Sequence, residues 1–402
     1  MNYMYESYLS QIELGTEAAH LDDLRHRLNP EKPLEALVEK SFPITNFGNP
    51  QDTLHIPGSR KLLDAFEALD DVAVKTDCQV RYENLQFVEM DGPGNITLQF
   101  PVDNDTLNAN SVYTFYSEFL DFFRITKFVN YCYSRGYNDL IEHNLQQLFL
   151  KNGSVEKQFR LITIQDGQTY GLRAITSTQY NNYDNNVVVY LSLLSLHKYA
   201  SENNRQYYVH SAHLSDSFLR IVYELEQPIS IEGVGDVYLG LSVSNGEIRN
   251  YKFKTELRYR IVDEQKEKSF NGVYDSPLFS IRHDMTLSTV DTQLRLLTNL
   301  EKYETSVIEF ILNLRNIQTL TDDAAFSIFH NLVRQIKACS DISSRTSESF
   351  SIAETNHLIK NTLSLIDLFD IAQRIPTDMD EKVFVERIFH KVLKDFLRTR
   401  NG

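Results

Sequence analysis

Apolar and polar residues alternate along two neighbouring segments near the middle of the chain. The apolar positions are Val237, Leu239, Leu241 and Val243 in the first segment and Tyr251, Phe253, Leu257, Tyr259 and Ile261 in the second. A period of two over this length predicts two β-strands, each with one side toward a core. The intervening Ser244-Asn245-Gly246 predicts a bulged three-residue turn, which pairs Val237 with Phe253 and keeps the apolar sides together.

The opposite side of the second predicted strand is basic, because it carries Lys252, Lys254, Arg258 and Arg260. Residues on one side of a strand recur about every 6.6 Å, a repeat that suits contacts to an extended phosphate backbone. A second predicted hairpin, with strands over 159–164 and 170–175, adds Arg160 and Arg173 if it lies alongside. These six residues form the predicted nucleic-acid-binding surface. The alternative is a solvated outer face whose cations pair with neighbouring carboxylates.

Helical periodicity dominates both ends of the chain. Short helices are predicted before residue 78, and from residue 284 onward apolar residues recur at every third or fourth position. The segment between them is rich in predicted strands. We therefore predict an α+β fold: N-terminal helices over 1–77, a mostly antiparallel β-sheet core over 78–283, and a C-terminal helical bundle over 284–402.

One predicted helix, over 111–133, is unusually aromatic. Its rings are Tyr113, Phe115, Phe119, Phe122, Phe123 and Phe128. Their spacing of three and four residues predicts a helix buried in a core. A base-stacking platform is the alternative interpretation, although packing in a core is the commoner use of aromatic residues on a helix.

Composition narrows the functional classes. The 402 residues carry a formal net charge of -15, which argues against a generally basic nucleic-acid coat but leaves room for a local basic groove. Cys78, Cys132 and Cys339 are too few and too widely spaced to predict a disulfide framework or a zinc site. Neither a secretory signal nor a membrane-length apolar run is recognisable, so a cytoplasmic protein without membrane contact is predicted.

Catalytic motifs are not recognisable in the sequence, and we predict neither a cofactor nor a metal. Asp184, Asp236, Glu247 and His283 could converge as an acid–base or metal-binding constellation. They lack any paired spacing, so the sequence leaves their convergence open. A protein that is not an enzyme is therefore the leading expectation.

Two separated stretches resemble the phage/plasmid-like protein family, a domain-of-unknown-function family of mobile genetic elements. The first stretch runs over 170–185 and reads YGLRAITSTQYNNYDN; the second runs over 234–247 and reads VGDVYLGLSVSNGE. An Arg282-His283 pair follows where that family often has one. Gly246 and the residues 260–265 depart from the family pattern. The resemblance implies an origin in a phage, prophage or plasmid, and no particular biochemical activity.

The leading functional hypothesis is a nucleic-acid-associated protein of a phage or mobile element, such as a single-stranded DNA-binding or annealing factor. The basic side of the hairpin would hold the backbone, and the C-terminal helices would drive assembly into a homo-oligomer. The alternative is an acidic protein-interaction module that engages a host defence or replication protein. The net charge of -15 and the long helical C-terminal segment motivate that alternative.

Overall fold

The computed structural model describes residues 3–102, 105–164, 169–249, 251–265, 267–317, 319–355, 362, 364–376 and 379–401. The strands are β1 (Glu6–Leu9), β2 (Lys75–Arg81), β3 (Gln86–Gly92), β4 (Asn95–Val102), β5 (Asp105–Ser111), β6 (Glu156–Thr163), β7 (Tyr170–Thr176), β8 (Tyr207–Ser215), β9 (Phe218–Leu225), β10 (Ile229–Ile231), β11 (Gly235–Gly246), β12 (Phe253–Val262) and β13 (Ser269–Ile281). The helices are α1 (Gln11–Leu14), α2 (Leu21–Arg25), α3 (Pro33–Ser41), α4 (Ser59–Val72), α5 (Phe115–Phe122), α6 (Thr126–Ser134), α7 (Asn138–Lys151), α8 (Asn185–Glu202), α9 (Leu287–Leu294), α10 (Leu300–Leu312), α11 (Asp322–Lys337), α12 (Ser344–Thr355), α13 (Leu365–Gln373) and α14 (Met379–Asn401).

The larger sheet is seven-stranded and antiparallel, in the order β1-β8-β9-β11-β12-β13 with β10 paired to β11. Helix α8 is apolar around most of its circumference and is buried against this sheet, as expected for a helix inside a core. The N-terminal helices and the C-terminal helices join the same continuous apolar cluster.

The smaller sheet is six-stranded, in the order β2-β6-β7-β5-β4-β3, and only the β5–β7 pair is parallel. Its strands β2 and β6 alternate between an apolar face and a polar face. Phe159 packs on the apolar side among rings that include Phe100 and Phe115, beneath helices α5–α7. Asp77 and Arg160 are paired on the polar side, which faces the end of the larger sheet.

The predicted α+β class is confirmed, and several details differ from the sequence-based expectation. The strands form two sheets, not one. Segment 262–280, whose Lys, Glu, Gly and Pro content is typical of a loop, contains most of the long strand β13. The apolar sides of the C-terminal helices pack on the larger sheet as well as on each other, with α13 and α14 lying along β13. Among the described residues, no helix combines the length and apolar character needed to cross a bilayer.

The predicted turn of the central hairpin is wrong. Strand β11 continues through Gly246 and pairs Val237 with Ile261, not with Phe253. The shift is an even number of residues, so each side chain keeps the side that alternation assigns to it. The residues of the predicted turn are not free to form one, because Asn245 is held in the buried contact between the sheets described below. The predicted turn of the other hairpin, at 165–168, lies outside the described residues.

Candidate functional site

The arginines on the polar side of β12 are neutralised within the fold. Arg258 is 6% exposed and donates two hydrogen bonds, each 3.0 Å long, to the carboxylate of Glu386 on α14. Arg260 donates bonds of 2.6 and 3.1 Å to Glu224 on β9, and its guanidinium carbon lies 3.9 Å from the ring centroid of Tyr238. Neither arginine presents a free charge to a polyanion.

The two lysines predicted on the same side are Lys254, within β12, and Lys252, which directly precedes it. Lys254 lies 2.7 Å from Glu256, which also accepts a hydrogen bond from Arg387 on α14. Lys252 is exposed, and no ion pair to it is found within the described part of the chain. The continuous solvent-facing basic stripe is therefore not present. Strand alternation shows which residues share a side, but it cannot show that a helix from the far end of the chain covers that side.

Arg160 is placed at the junction of the two sheets. Its side chain is 0% exposed and donates to Asp77 at 3.0 Å, to Asp184 at 2.7 and 2.8 Å, and to the backbone oxygen of Glu247 at 2.9 Å. It connects β6 to the N-terminus of α8 and to the end of β11. A side chain that is buried and paired in this way does not fit the predicted role of Arg160 in binding a nucleic-acid strand.

Arg173 and Glu247 form the centre of the same junction. The Arg173 Nη1 lies 2.5 Å from Glu247 Oε2, and both side chains are 0% exposed. Glu247 Oε1 accepts from Lys75 at 3.0 Å and from the backbone N–H of Asn185 at 2.9 Å. Burial alone would raise the pKa of Glu247, but the charges of Lys75, Arg173 and Arg160 outweigh it and hold that pKa well below its usual range. Lys75, Asp77, Arg160, Arg173, Asp184 and Glu247 are called the junction cluster below.

Three of the four candidate acid–base residues come together. Arg160 donates hydrogen bonds both to Asp184 and to the backbone oxygen of Glu247. The ring of His283 stacks on the ring of Tyr180, with the centroids 4.9 Å apart. Asp236 lies at the opposite end of β11, where it bonds Ser230. Burial raises the pKa of Asp184 despite Arg160, while burial and then Arg160 lower the pKa of His283 to about 4. No group of three or more metal-ligating side chains with suitable geometry occurs among the described residues.

Both stretches that carry the family resemblance contribute to the junction. Arg173 and Asp184 come from the first stretch, Glu247 comes from the end of the second, and His283 lies beside them. Sequence reasoning missed Lys75 and Asp77, and also Asp216, which bonds the hydroxyl of Tyr113 at 2.5 Å. These residues belong to no motif, so only the packing of the two sheets reveals them.

A cleft with a volume of about 440 Å³ opens beside the junction cluster. Its walls are the start of α3, the polar side of β2, Gln158 of β6 and the loop 178–184 that leads into α8. Asp77, Asp184 and Lys75 of the junction cluster line it together with Tyr180. The cleft therefore connects solvent with the buried charges between the sheets.

Some rings of the aromatic segment are exposed, although core packing was the preferred interpretation of their spacing and a base-stacking platform the alternative. Phe122, Phe128, Tyr131 and Tyr137 are 40%, 38%, 56% and 45% exposed. Arg124, Lys127 and Arg135 are exposed between them, and Lys157 and Arg249 lie 4.6 and 5.9 Å from the centre of the Phe122 ring. These nine residues are called the aromatic–basic surface below. The segment 122–138 contains three basic residues and no Asp or Glu, a local bias that a chain-wide charge of -15 conceals.

The buried histidines lead to a pH prediction. Burial is the largest cause that lowers the pKa of His210, His283 and His390 to about 4. Their contribution to stability is fully present above the unfolded value of about 6.5 and is lost as the pH falls through about 4. We expect urea unfolding to show a falling free energy of unfolding between pH 7 and pH 5. His390→Gln should flatten this dependence, and the matched change at exposed His143 should leave it unaltered; equal slopes for all three proteins would contradict the prediction.

The fold and the site define an α+β protein whose two sheets meet at a buried ionic junction. Comparisons of the chain with models of protein families, with curated proteins and with solved structures find no match. Membership of the phage/plasmid-like family stays a prediction.

Proposed function

We propose that this protein binds single-stranded nucleic acid through the aromatic–basic surface. The observation that carries the proposal is the alternation of exposed rings with cations over 122–137. Bases of any sequence stack on aromatic side chains, while Lys and Arg neutralise the phosphates. The basic side of β12 has no part in this proposal, because its arginines are paired inside the fold.

The local fold does not force these aromatic rings to be exposed to solvent. Helix α6 anchors itself through Val129 and Cys132, which are buried in the smaller core. Phe128 and Tyr131 point away from that core and leave apolar area in water. Contiguous exposed apolar patches on soluble proteins mark interaction sites. The cations between the rings favour a polyanion over an uncharged partner surface.

The backbone gives independent support at two of the cations. Arg124 and Arg249 have φ angles of 57° and 67°, a left-handed conformation that is uncommon for residues other than glycine. Such conformations cost about 1–3 kcal/mol and cluster at functional sites. Both arginines belong to the aromatic–basic surface.

The test is binding of a labelled single-stranded oligonucleotide at low salt. We expect Tyr131→Ala to weaken binding about 5-fold or more, because stacking contributes about 1–3 kcal/mol per base. Lys127→Glu combined with Arg135→Glu should weaken binding further and reduce its salt dependence, since fewer counterions are released. Phe326→Ala on α11, where the ring is exposed to a similar extent, and Lys391→Glu on α14 are the matched controls.

Equal binding by the surface variants and the controls would contradict the proposal, as would no binding by the wild type. Co-purification of a stoichiometric protein that Tyr131→Ala releases, without nucleic-acid absorbance, would instead support the protein-interaction alternative. An origin in a mobile element and assembly through the C-terminal helices stay predictions. Sedimentation of the purified chain tests the assembly prediction directly.

A further inference from the structure

The cleft beside the junction cluster has the properties of a small-ligand site. Its volume of about 440 Å³ lies in the range of about 300–1,000 Å³ that such sites occupy. Tyr180 forms part of the wall and is half-buried, and one face of its ring stacks on His283 at an interplanar angle of 8°. His283 therefore fixes the plane of the Tyr180 ring in the cleft wall.

Several buried polar atoms in the cleft wall and behind it have no hydrogen-bond partner within the described part of the chain. They are the Tyr180 hydroxyl and both ring nitrogens of His283, together with Nε and Nη2 of Arg173 and Oδ1 of Asn245 deeper in the junction. Arg173 and Asn245 are 0% exposed, and His283 is 5% exposed. Buried polar groups in native proteins are almost always paired, and of the residues that carry these unpaired atoms only Tyr180 lines the cleft.

The charges of the cleft restrict what it can hold. Glu35, Asp77 and Asp184 outnumber Lys32 and Lys75 along its walls. All five are paired: Arg160 behind the wall binds Asp77 and Asp184, Lys32 binds Glu35, and Lys75 binds Glu247. A free phosphate would meet an excess of carboxylates. A neutral planar group with amino hydrogens would instead find carboxylate acceptors, amide groups from Gln79 and Gln158, and the Tyr180 ring.

We propose that the cleft receives one unpaired nucleobase that carries an amino group, namely adenine, cytosine or guanine. This inference rests on the proposed function, because the base would belong to a strand bound at the aromatic–basic surface. One contact links the surface to the segment that leads into the cleft: Arg249 donates to the backbone oxygen of Ile175, five residues before Tyr180. Base-edge hydrogen bonds from Gln, Asn and carboxylate side chains and stacking on Tyr are the chemistry by which proteins bind splayed single-stranded bases.

The experiment separates the cleft from the surface by using free nucleosides, which carry no phosphate. Equilibrium dialysis of the full chain should detect adenosine or cytidine in preference to uridine, with little dependence on salt. Tyr180→Ala should weaken that binding about 5-fold or more through lost stacking, and Tyr180→Phe should retain most of it. The matched control is Tyr274→Ala, because Tyr274 is also half-buried and also lies 4.9 Å from a histidine ring, that of His390.

The outcomes also separate this inference from the proposed function. If oligonucleotides bind in a salt-dependent way, yet no nucleoside binds and Tyr180→Ala leaves the preference for amino-bearing bases unchanged, the inference is overturned and the proposed function stands. Nucleoside binding that is insensitive to Tyr180→Ala but lost in the control would also overturn it. Nucleoside binding lost only with Tyr180→Ala supports the inference, even if Tyr131→Ala leaves oligonucleotide binding intact and so contradicts the proposed function.

Discussion

Glu247→Ala should lower the free energy of unfolding by about 3–5 kcal/mol, the cost of breaking a buried ion pair by removing one partner. Glu247 is completely buried and touches Lys75, Arg173 and the backbone of Asn185. Removing its carboxylate leaves Arg173 buried without its charge partner. The free energy of unfolding of whole domains is only about 5–15 kcal/mol, so the variant should approach the limit of folding.

Chemical denaturation with circular dichroism at neutral pH measures this effect. Glu247→Gln, which keeps the size of the side chain, should show most of the loss, because the missing element is charge. Glu232→Ala is the matched control: Glu232 also pairs with an arginine, Arg315 at 3.0 Å, but it is exposed, so its removal should change stability by less than about 1 kcal/mol. Similar losses in Glu232→Ala and Glu247→Ala would show that the junction cluster does not hold the sheets together.

The pH dependence of the free energy of unfolding, compared between the wild type and Glu247→Gln, is a second test. Because the folded-state pKa of Glu247 is held below its usual range, its stabilising contribution is present above the unfolded value and is lost as the pH falls toward the folded value. The difference in stability between the wild type and Glu247→Gln should therefore narrow as the solution is acidified below the ordinary glutamate range. A difference that stayed constant would argue against a charge-based contribution.

Arg258→Glu should unfold the protein, because Arg258 is paired inside the fold and is not part of the proposed nucleic-acid-binding surface. The substitution would bring a further carboxylate against Glu386 and Glu224, which lie 3.0 and 3.7 Å from the Arg258 guanidinium. Loss of the buried pair costs about 3–5 kcal/mol, and the new repulsion adds to this. The amino-acid pattern alone leads to the opposite expectation, in which the charge reversal weakens binding and leaves the fold intact.

Two further variants distinguish the loss of a buried ion pair from the loss of a binding surface. Arg258→Met combined with Glu386→Leu removes both charges and should recover most of the stability, since replacing a whole buried pair by apolar residues is often neutral. Lys252→Glu on the same side is the exposed control and should stay within about 0.5 kcal/mol of the wild type. If Arg258→Glu folds as stably as Lys252→Glu but loses oligonucleotide binding, the polar side of β12 is a binding surface after all.

The fold class was accessible from the sequence because periodicity is a local property. Alternation over 237–243 and 251–261 identified two strands and assigned each side chain to a face, and the even register shift preserved those faces. The predicted turn was wrong because one of its residues makes distant contacts: Asn245 donates hydrogen bonds to Tyr183 and Asn185. A local turn pattern carries no information about such distant partners.

The candidate sites were less accessible, for the same reason. Arg160, Arg173, Asp184 and Glu247 were each singled out by type, yet their pairing with one another depends on how the two sheets pack. The aromatic helix illustrates the converse. Its spacing predicts a buried element, and Phe115 and Phe119 are indeed buried, whereas Phe122 and Phe128 remain in solvent.

The sequence by itself determined the α+β class of this protein and the faces of the two strands of the central hairpin, because backbone periodicity and side-chain hydrophobicity act over a few residues. Only the tertiary structure decided which charged side chains form ion pairs inside the fold and which are exposed to water. Glu386 reaches Arg258 across 128 positions of the chain. Ion pairing depends on distance in space and on exclusion of water, and neither is written in the order of residues along a strand.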